Sequence, residues 1–321
     1  MVVPSVKIAE MTRAHAGLPF ATRASYTVAF LIFTAAAAAT LYFKYSMSGG
    51  MPMPGHWTMS PMWMPMGSEL EGAVIFAAMW LAMMIAMMLP STMPMLLLYR
   101  RAAAFRGQDH LARAMFVLAG GYFLVWTLFG IAAYLIGMLI TRGAMHSDAL
   151  SRALPITAGV ALCVAGIYQL TPWKAVCLKH CRDPLTLVAH HLHGDRFGAL
   201  RLGIHHGAFC AACCWALMLI QLVLGVMNLT VMIGVALVIA LEKLLAKGEW
   251  IAKATGVAAI VGGIAIAALS IRSLLRCYRE AANALARETI QPGCYAIAFA
   301  SSRASKNSST FPRISGAVFE S

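Results

Sequence analysis

Along the chain, long apolar runs alternate with short polar segments that are mostly basic. A bilayer core takes about 20 largely apolar residues per helix. Seven stretches meet or approach that length: 26–45, 72–99, 115–140, 153–171, 207–226, 229–246 and 254–271. The fifth and sixth form one run too long for a single crossing, and Gly225 and Asn228 predict a turn between them. The first run exceeds the apolar core of a secretory signal and has no clean cleavage site after it, so it reads as a retained helix. The pattern predicts an all-α, polytopic membrane helix bundle with about seven transmembrane helices. Its expected parts are an N-terminal segment 1–24, a membrane domain 25–271 and a basic, disordered tail 272–321.

Composition agrees. Of the 321 residues, 60% are hydrophobic and 12% charged, and the mean hydropathy is +0.75. An ordinary soluble domain carries about 25% charged residues, so this chain could not coat a water-facing globule. Basic residues fall on alternate connections. Lys7, Arg13 and Arg23 precede the first run, Arg100, Arg101, Arg106 and Arg113 follow the second, and Lys174 to Arg201 and Lys243 to Lys253 continue the series. The opposite side holds Arg142 and Arg152. The positive-inside rule then makes the N-terminus cytoplasmic, in a bacterial inner membrane, with segment 46–69 outside and segment 173–203 in the cytoplasm. The net charge of +13 reflects this asymmetry and attraction to anionic headgroups. The bilayer is the expected partner, and nucleic acid is not. Basic residues from Arg272 to Arg313 disagree with an external tail.

The 22 methionines and eight cysteines change the picture through their placement. The outer loop, MSGGMPMPGHWTMSPMWMPMGS, offers Met51, Met53, His56, Met62, Met64 and Met66 without a single charge, and its Pro and Gly forbid regular helix. Thioethers are soft ligands that select Cu(I) and need no deprotonation. The alternative is adaptable apolar filler in the interfacial belt. The second run continues as MWLAMMIAMMLPSTMPM. At about 100° per residue, Met79, Met83 and Met87 share a face, while Met84 and Met88 extend the sulfur around half the helix. The five cannot serve one ion, so some must pack against lipid or neighbouring helices. Pro90 and Pro94 predict a kink.

The fifth run holds the sharpest constellation, HHGAFCAACCWALM. His206, Cys210, Cys213, Cys214 and Met218 fall within an arc of about 140°. Three thiols, an imidazole and a thioether suit a d¹⁰ metal. Packing of small apolar cysteines and a Cys210/Cys213 redox pair are the competing readings. In the cytoplasmic loop, CLKHC places Cys177 and Cys181 one helical turn apart beside His180, with His190, His191 and His193 following. Lys174, Lys179 and Arg182 would favour thiolates there, as a loading or unloading station. Glu242 and Lys243 read as a snorkelling pair at the membrane interface, and Gln221 as a hydrogen-bonding residue between helices.

Three blocks, MWLAMMIAMMLPSTMPMLLLY (Met79–Tyr99), YQLTPWKAVCLKHCRDP (Tyr168–Pro184) and GIHHGAFCAACCWALMLIQLVLGVMNLTVM (Gly203–Met232), occur in order, and EKLL (Glu242–Leu245) follows. Through them the chain resembles the bacterial family of predicted metal-binding integral membrane proteins, a domain of unknown function. That resemblance covers about 70–250 and implies a polytopic helical protein with a metal role, copper being the favoured metal. The expected function is Cu(I) handling, as a chaperone, insertion factor or translocator serving a copper-dependent membrane or periplasmic protein. A membrane thiol or metal oxidoreductase and a structural subunit are the alternatives. No Walker motif is visible, which argues against pumping driven by this chain alone.

Overall fold

Hydrocarbon offers no partner to a backbone amide, so each apolar run closes its hydrogen bonds within itself. The computed structural model describes residues 19–47, 49–54, 57–63, 68–105, 110–183, 188, 197–245 and 247–285. Among them are eight α-helices: α1 (Pro19–Ser46), α2 (Glu69–Phe105), α3 (Leu111–His146), α4 (Asp148–Leu170), α5 (Pro172–Arg182), α6 (Gly198–Leu224), α7 (Leu229–Leu244) and α8 (Gly248–Leu285). An antiparallel hairpin of β1 (Met51–Met53) and β2 (Trp57–Met59), followed by one 3-10 turn at Pro61–Trp63, lies between α1 and α2.

Six of these helices, α1, α2, α3, α4, α6 and α8, are long and apolar enough to cross a membrane, which makes the chain a multi-pass membrane protein. The expected span at 229–246 is α7, with 16 residues or about 24 Å of helix, short of that criterion. The turn before it forms as the sequence predicts. Gly225 takes φ +111°, and the Asn228 side chain accepts from the amides of Thr230 and Val231. Gln221 bonds the Val226 carbonyl inside this turn instead of reaching another helix. At the other end α8 continues to Leu285, so the basic segment beginning at Arg272 starts as helix, and the rest of the tail lies outside the described residues.

Helix α2 buries its methionines inside the bundle. Met79, Met83, Met84, Met87 and Met88 are all buried, so none of the five faces lipid. It stays helical through Pro90 and Pro94, and the hydroxyls of Ser91 and Thr92 between them donate to the Met88 carbonyl.

Two glycine seams set the helix spacing, as small residues do where apolar burial against lipid gives no drive. On the antiparallel pair α4–α8, a Cβ on Gly166 would lie 2.5 Å from the Gly256 carbonyl oxygen, and one on Gly263 would lie 2.5 Å from that of Gly159. On the parallel pair α3–α6, Gly203 meets the Leu118 carbonyl, and a Cβ on Gly207 would stand 3.0 Å from that of Tyr122. This second seam brings Tyr122 against the thiol-bearing face of α6. Gly203→Ala therefore overpacks a backbone contact and should destabilise the protein by about 1–3 kcal/mol. Gly120→Ala, whose Cβ meets nothing within 4 Å, should be neutral. Thermal unfolding of both variants in detergent checks the contrast.

Candidate functional site

Helical periodicity places His206, Cys210, Cys213, Cys214 and Met218 on one face of α6, and all five are buried. The face points into the bundle, as the spacing predicts, where α6 packs against α3, α4, α5 and α7. Its polar partners come from α3, α5 and α7. Tyr122 Oη lies 3.0 Å from Cys210 Sγ, Lys243 Nζ lies 2.9 Å from the same sulfur, and the Cys213 and Cys214 sulfurs are 3.2 Å apart. The cysteines among the described residues are all free thiols.

Cys181 does not form a separate cytoplasmic station. Its sulfur is 3.6 Å from that of Cys213, so α5 folds back and adds a fourth thiol to the α6 group. Thr171 caps α5 and Pro172 occupies its first turn, which fixes where the chain turns back after α4. Hydrogen bonding to Cys210 is the leading cause that pushes the Cys181 thiol well above the ordinary cysteine range. This reverses the thiolate expected from neighbouring basic residues, because those residues turn elsewhere. Lys174 reaches the Cys213 carbonyl, Arg182 donates to the Leu245 carbonyl, and Lys179 is exposed. Cys177 packs at the edge of the core, whereas His180 is exposed and stacked on Phe209 with ring centroids 5.0 Å apart.

Glu242 and Lys243 do not snorkel. Glu242 pairs with Lys174 at 2.7 Å, and both side chains are 1% exposed. Gln169 donates to the other carboxylate oxygen at 3.1 Å, and the Lys174 ammonium also donates to the Cys213 carbonyl at 2.5 Å. Burial acts to lower the Lys174 pKa, but facing Cys214 and the Glu242 carboxylate outweigh it and raise the value above that of a free lysine. Lys174, Glu242, Lys243, Tyr122 and Gln169 are the site residues that sequence reasoning missed. One signal was available: an ionisable residue such as Glu242 at the end of an apolar run is a candidate site by default.

The other candidates lie further off. His206 stacks on Tyr122 at 5.5 Å and lines a small cavity with Thr92 and Met95 of α2, its buried Nδ1 without a hydrogen-bond partner among the described residues. Met83 and Met87 belong with Met218 and the α6 thiols to one continuous apolar core, which Met62 joins from the 3-10 turn. Met51 is 43% exposed and Met53 half-buried on the hairpin, which docks through Trp57 Nε1 and Ser151 Oγ onto the start of α4. His56, Met64 and Met66 lie outside the described residues, as do His190, His191 and His193. Among the described residues no three His, Cys, Asp or Glu side chains are arranged as a ready metal cage. The thiols touch one another.

Removing one partner of the buried pair strands the other charge. Glu242→Ala should therefore lower stability by about 3–5 kcal/mol, and Lys174→Met with Glu242→Leu should recover much of that loss. Thermal unfolding of the single and double variants measures both.

No curated protein and no solved structure matches the chain. A family model described as PpoB2, copper chaperone, matches residues 77–266. The matched region runs from α2 into α8 and includes the clustered thiols, Lys174, Glu242 and Lys243, while the methionine-rich loop precedes it. With more than half its length matched, the chain belongs to the PpoB2 family of copper chaperones, and its work is copper handling.

Proposed function

We propose that the chain accepts copper as Cu(I) on the cluster of Cys181, Cys210, Cys213 and Cys214 and hands it to a copper-dependent membrane or periplasmic protein. The observation that carries this reading is the meeting of thiols from two helices inside the bundle, with Cys181 Sγ 3.6 Å from Cys213 Sγ, Cys213 Sγ 3.2 Å from Cys214 Sγ, and buried Cys210 beside them on the same face of α6. Soft thiolates favour Cu(I) over hard cations. Metal–thiolate bonds are about 2.3 Å long, so sulfurs already in contact need separate by only about 1–1.5 Å to hold an ion between them.

Met218 and the methionines of α2, with Met83 and Met87 foremost, extend the soft donors from this cluster through the core towards Met62. On this reading the hairpin methionines Met51 and Met53 receive copper at the outer surface, and His56, Met64 and Met66 of the same loop sequence are further donors. Cys177 and His206 flank the cluster, and His180 lies at its cytoplasmic edge. The orientation follows the basic residues: an inner-membrane protein with segment 1–24 in the cytoplasm. The reversal of direction at Gly225 supports a seventh crossing by α7. A thiol oxidoreductase draws on the same short Cys213–Cys214 distance, but the family assignment favours carriage of the ion.

Metal analysis of protein purified from copper-replete cells tests the proposal. The wild type should carry near-stoichiometric copper, and Cys210→Ser with Cys214→Ser should lose most of it while the protein still accumulates in the membrane. Unchanged copper in the double variant overturns the reading. A disulfide that cycles among these cysteines, with no copper bound, would favour the oxidoreductase.

A further inference from the structure

The thiol cluster is flanked by three charged side chains among the described residues, and they differ in how their charge is met. Lys174 and Glu242 form a 2.7 Å pair and cancel. Lys243 pairs with no carboxylate among the described residues, and its Nζ lies 2.9 Å from Cys210 Sγ. One positive charge is thus held against the sulfurs in a site whose three α6 thiols are at most 1% exposed. A charge in such surroundings is costly unless it is matched.

We infer that Lys243 is the counter-cation of the metal–thiolate complex, and that it biases the cluster towards monovalent soft ions. This rests on the reading of the cluster as a copper site. A Cu(I) ion with two thiolates carries one negative charge, and the Lys243 ammonium brings the total to zero. A divalent ion with two thiolates is already neutral, so Lys243 leaves it one charge in excess until a third thiol gives up its proton. Monovalent d¹⁰ ions accept two-coordinate thiolate binding, whereas Zn(II) and its heavier analogue Cd(II) seek four donors. The fixed ammonium therefore suits the first geometry with the fewest deprotonations. Lys243 acts through the sulfurs and is a positioning and specificity residue, not a ligand.

The test compares Ag(I), a redox-stable stand-in for Cu(I), with Cd(II) on purified full-length protein in detergent, by competition with chelators of known affinity. The variants are Lys243→Met, Lys243→Gln and Lys243→Arg, with thermal unfolding as a check on folding. The neutral variants should lose Ag(I) affinity by roughly tenfold, the lower end of the coupling measured for close charge pairs. Their Cd(II) affinity should hold or rise, and Lys243→Arg should keep the wild-type ratio. Equal losses of Ag(I) and Cd(II), or an unchanged ratio in whichever neutral variant folds, overturn the selectivity assigned to Lys243 and leave the copper site standing. A wild type that binds neither Ag(I) nor Cu(I) overturns the copper site itself, and this inference with it.

Discussion

Hydrocarbon cannot solvate a charge, so the buried Lys174–Glu242 pair must be matched inside the protein, and the arrangement around the thiols depends on that match. Lys174 comes from α5, Glu242 from α7, Gln169 from α4 and the Cys213 carbonyl from α6. One polar knot therefore ties four helices together at the level of the cysteines. Pairs of this kind are weak sources of net stability but strongly penalise any alternative arrangement that separates the partners. That penalty gives a reason for α5 to lie against α6, although the helix has only 11 residues. Without it, Cys181 would have no fixed relation to Cys213.

Glycine supplies the complementary constraint. The α3–α6 seam lets backbones approach closely enough for the Tyr122 hydroxyl to touch Cys210, and the α4–α8 seam anchors the helix whose end carries Gln169. Small residues thus set distances and the ion pair sets register. Between them the sulfur side chains have little freedom to turn towards lipid.

The elements were largely legible in the sequence, because apolar runs longer than a bilayer core leave few alternatives to helix. The turn at Gly225 and Asn228 and the inward face of α6 could be read from residue chemistry and 3.6-residue periodicity. The site's partners could not. That Lys174 turns inward, when its neighbour Trp173 is exposed, follows from Glu242 standing 68 positions away, and no local pattern encodes such a pairing. Cys181 misled for the same reason: on its own helix it belongs with Cys177, and only the fold-back of α5 joins it to Cys213. Sulfur spread around half of α2 requires some methionines to pack against lipid or neighbouring helices, and all five pack inside the bundle, while Leu70, Val74, Ala78 and Pro90 of the same helix are exposed.

The extent of the family match divides the sulfur into two groups. The region 77–266 holds the four clustered thiols, the buried pair and the α2 methionines, and it begins after the hairpin. The family match thus covers the core and not the methionine-rich loop. Among the described residues the loop is joined to that core through Trp57 and Ser151 at the start of α4, through Trp63 against Phe76 and through Met62 packed on the sulfur-lined interior. Thioethers are neutral and hold soft ions without deprotonation, whereas thiolates bind them with charge and must be balanced. A donor series that passes from thioether at the hairpin to thiol beside Lys243 therefore runs from weaker, uncharged binding to stronger, charge-compensated binding. On the proposed reading, that gradient favours passage of a captured ion from the hairpin to the thiols without hydrolysis of a nucleotide, and it leaves release to the client as the step that must be driven.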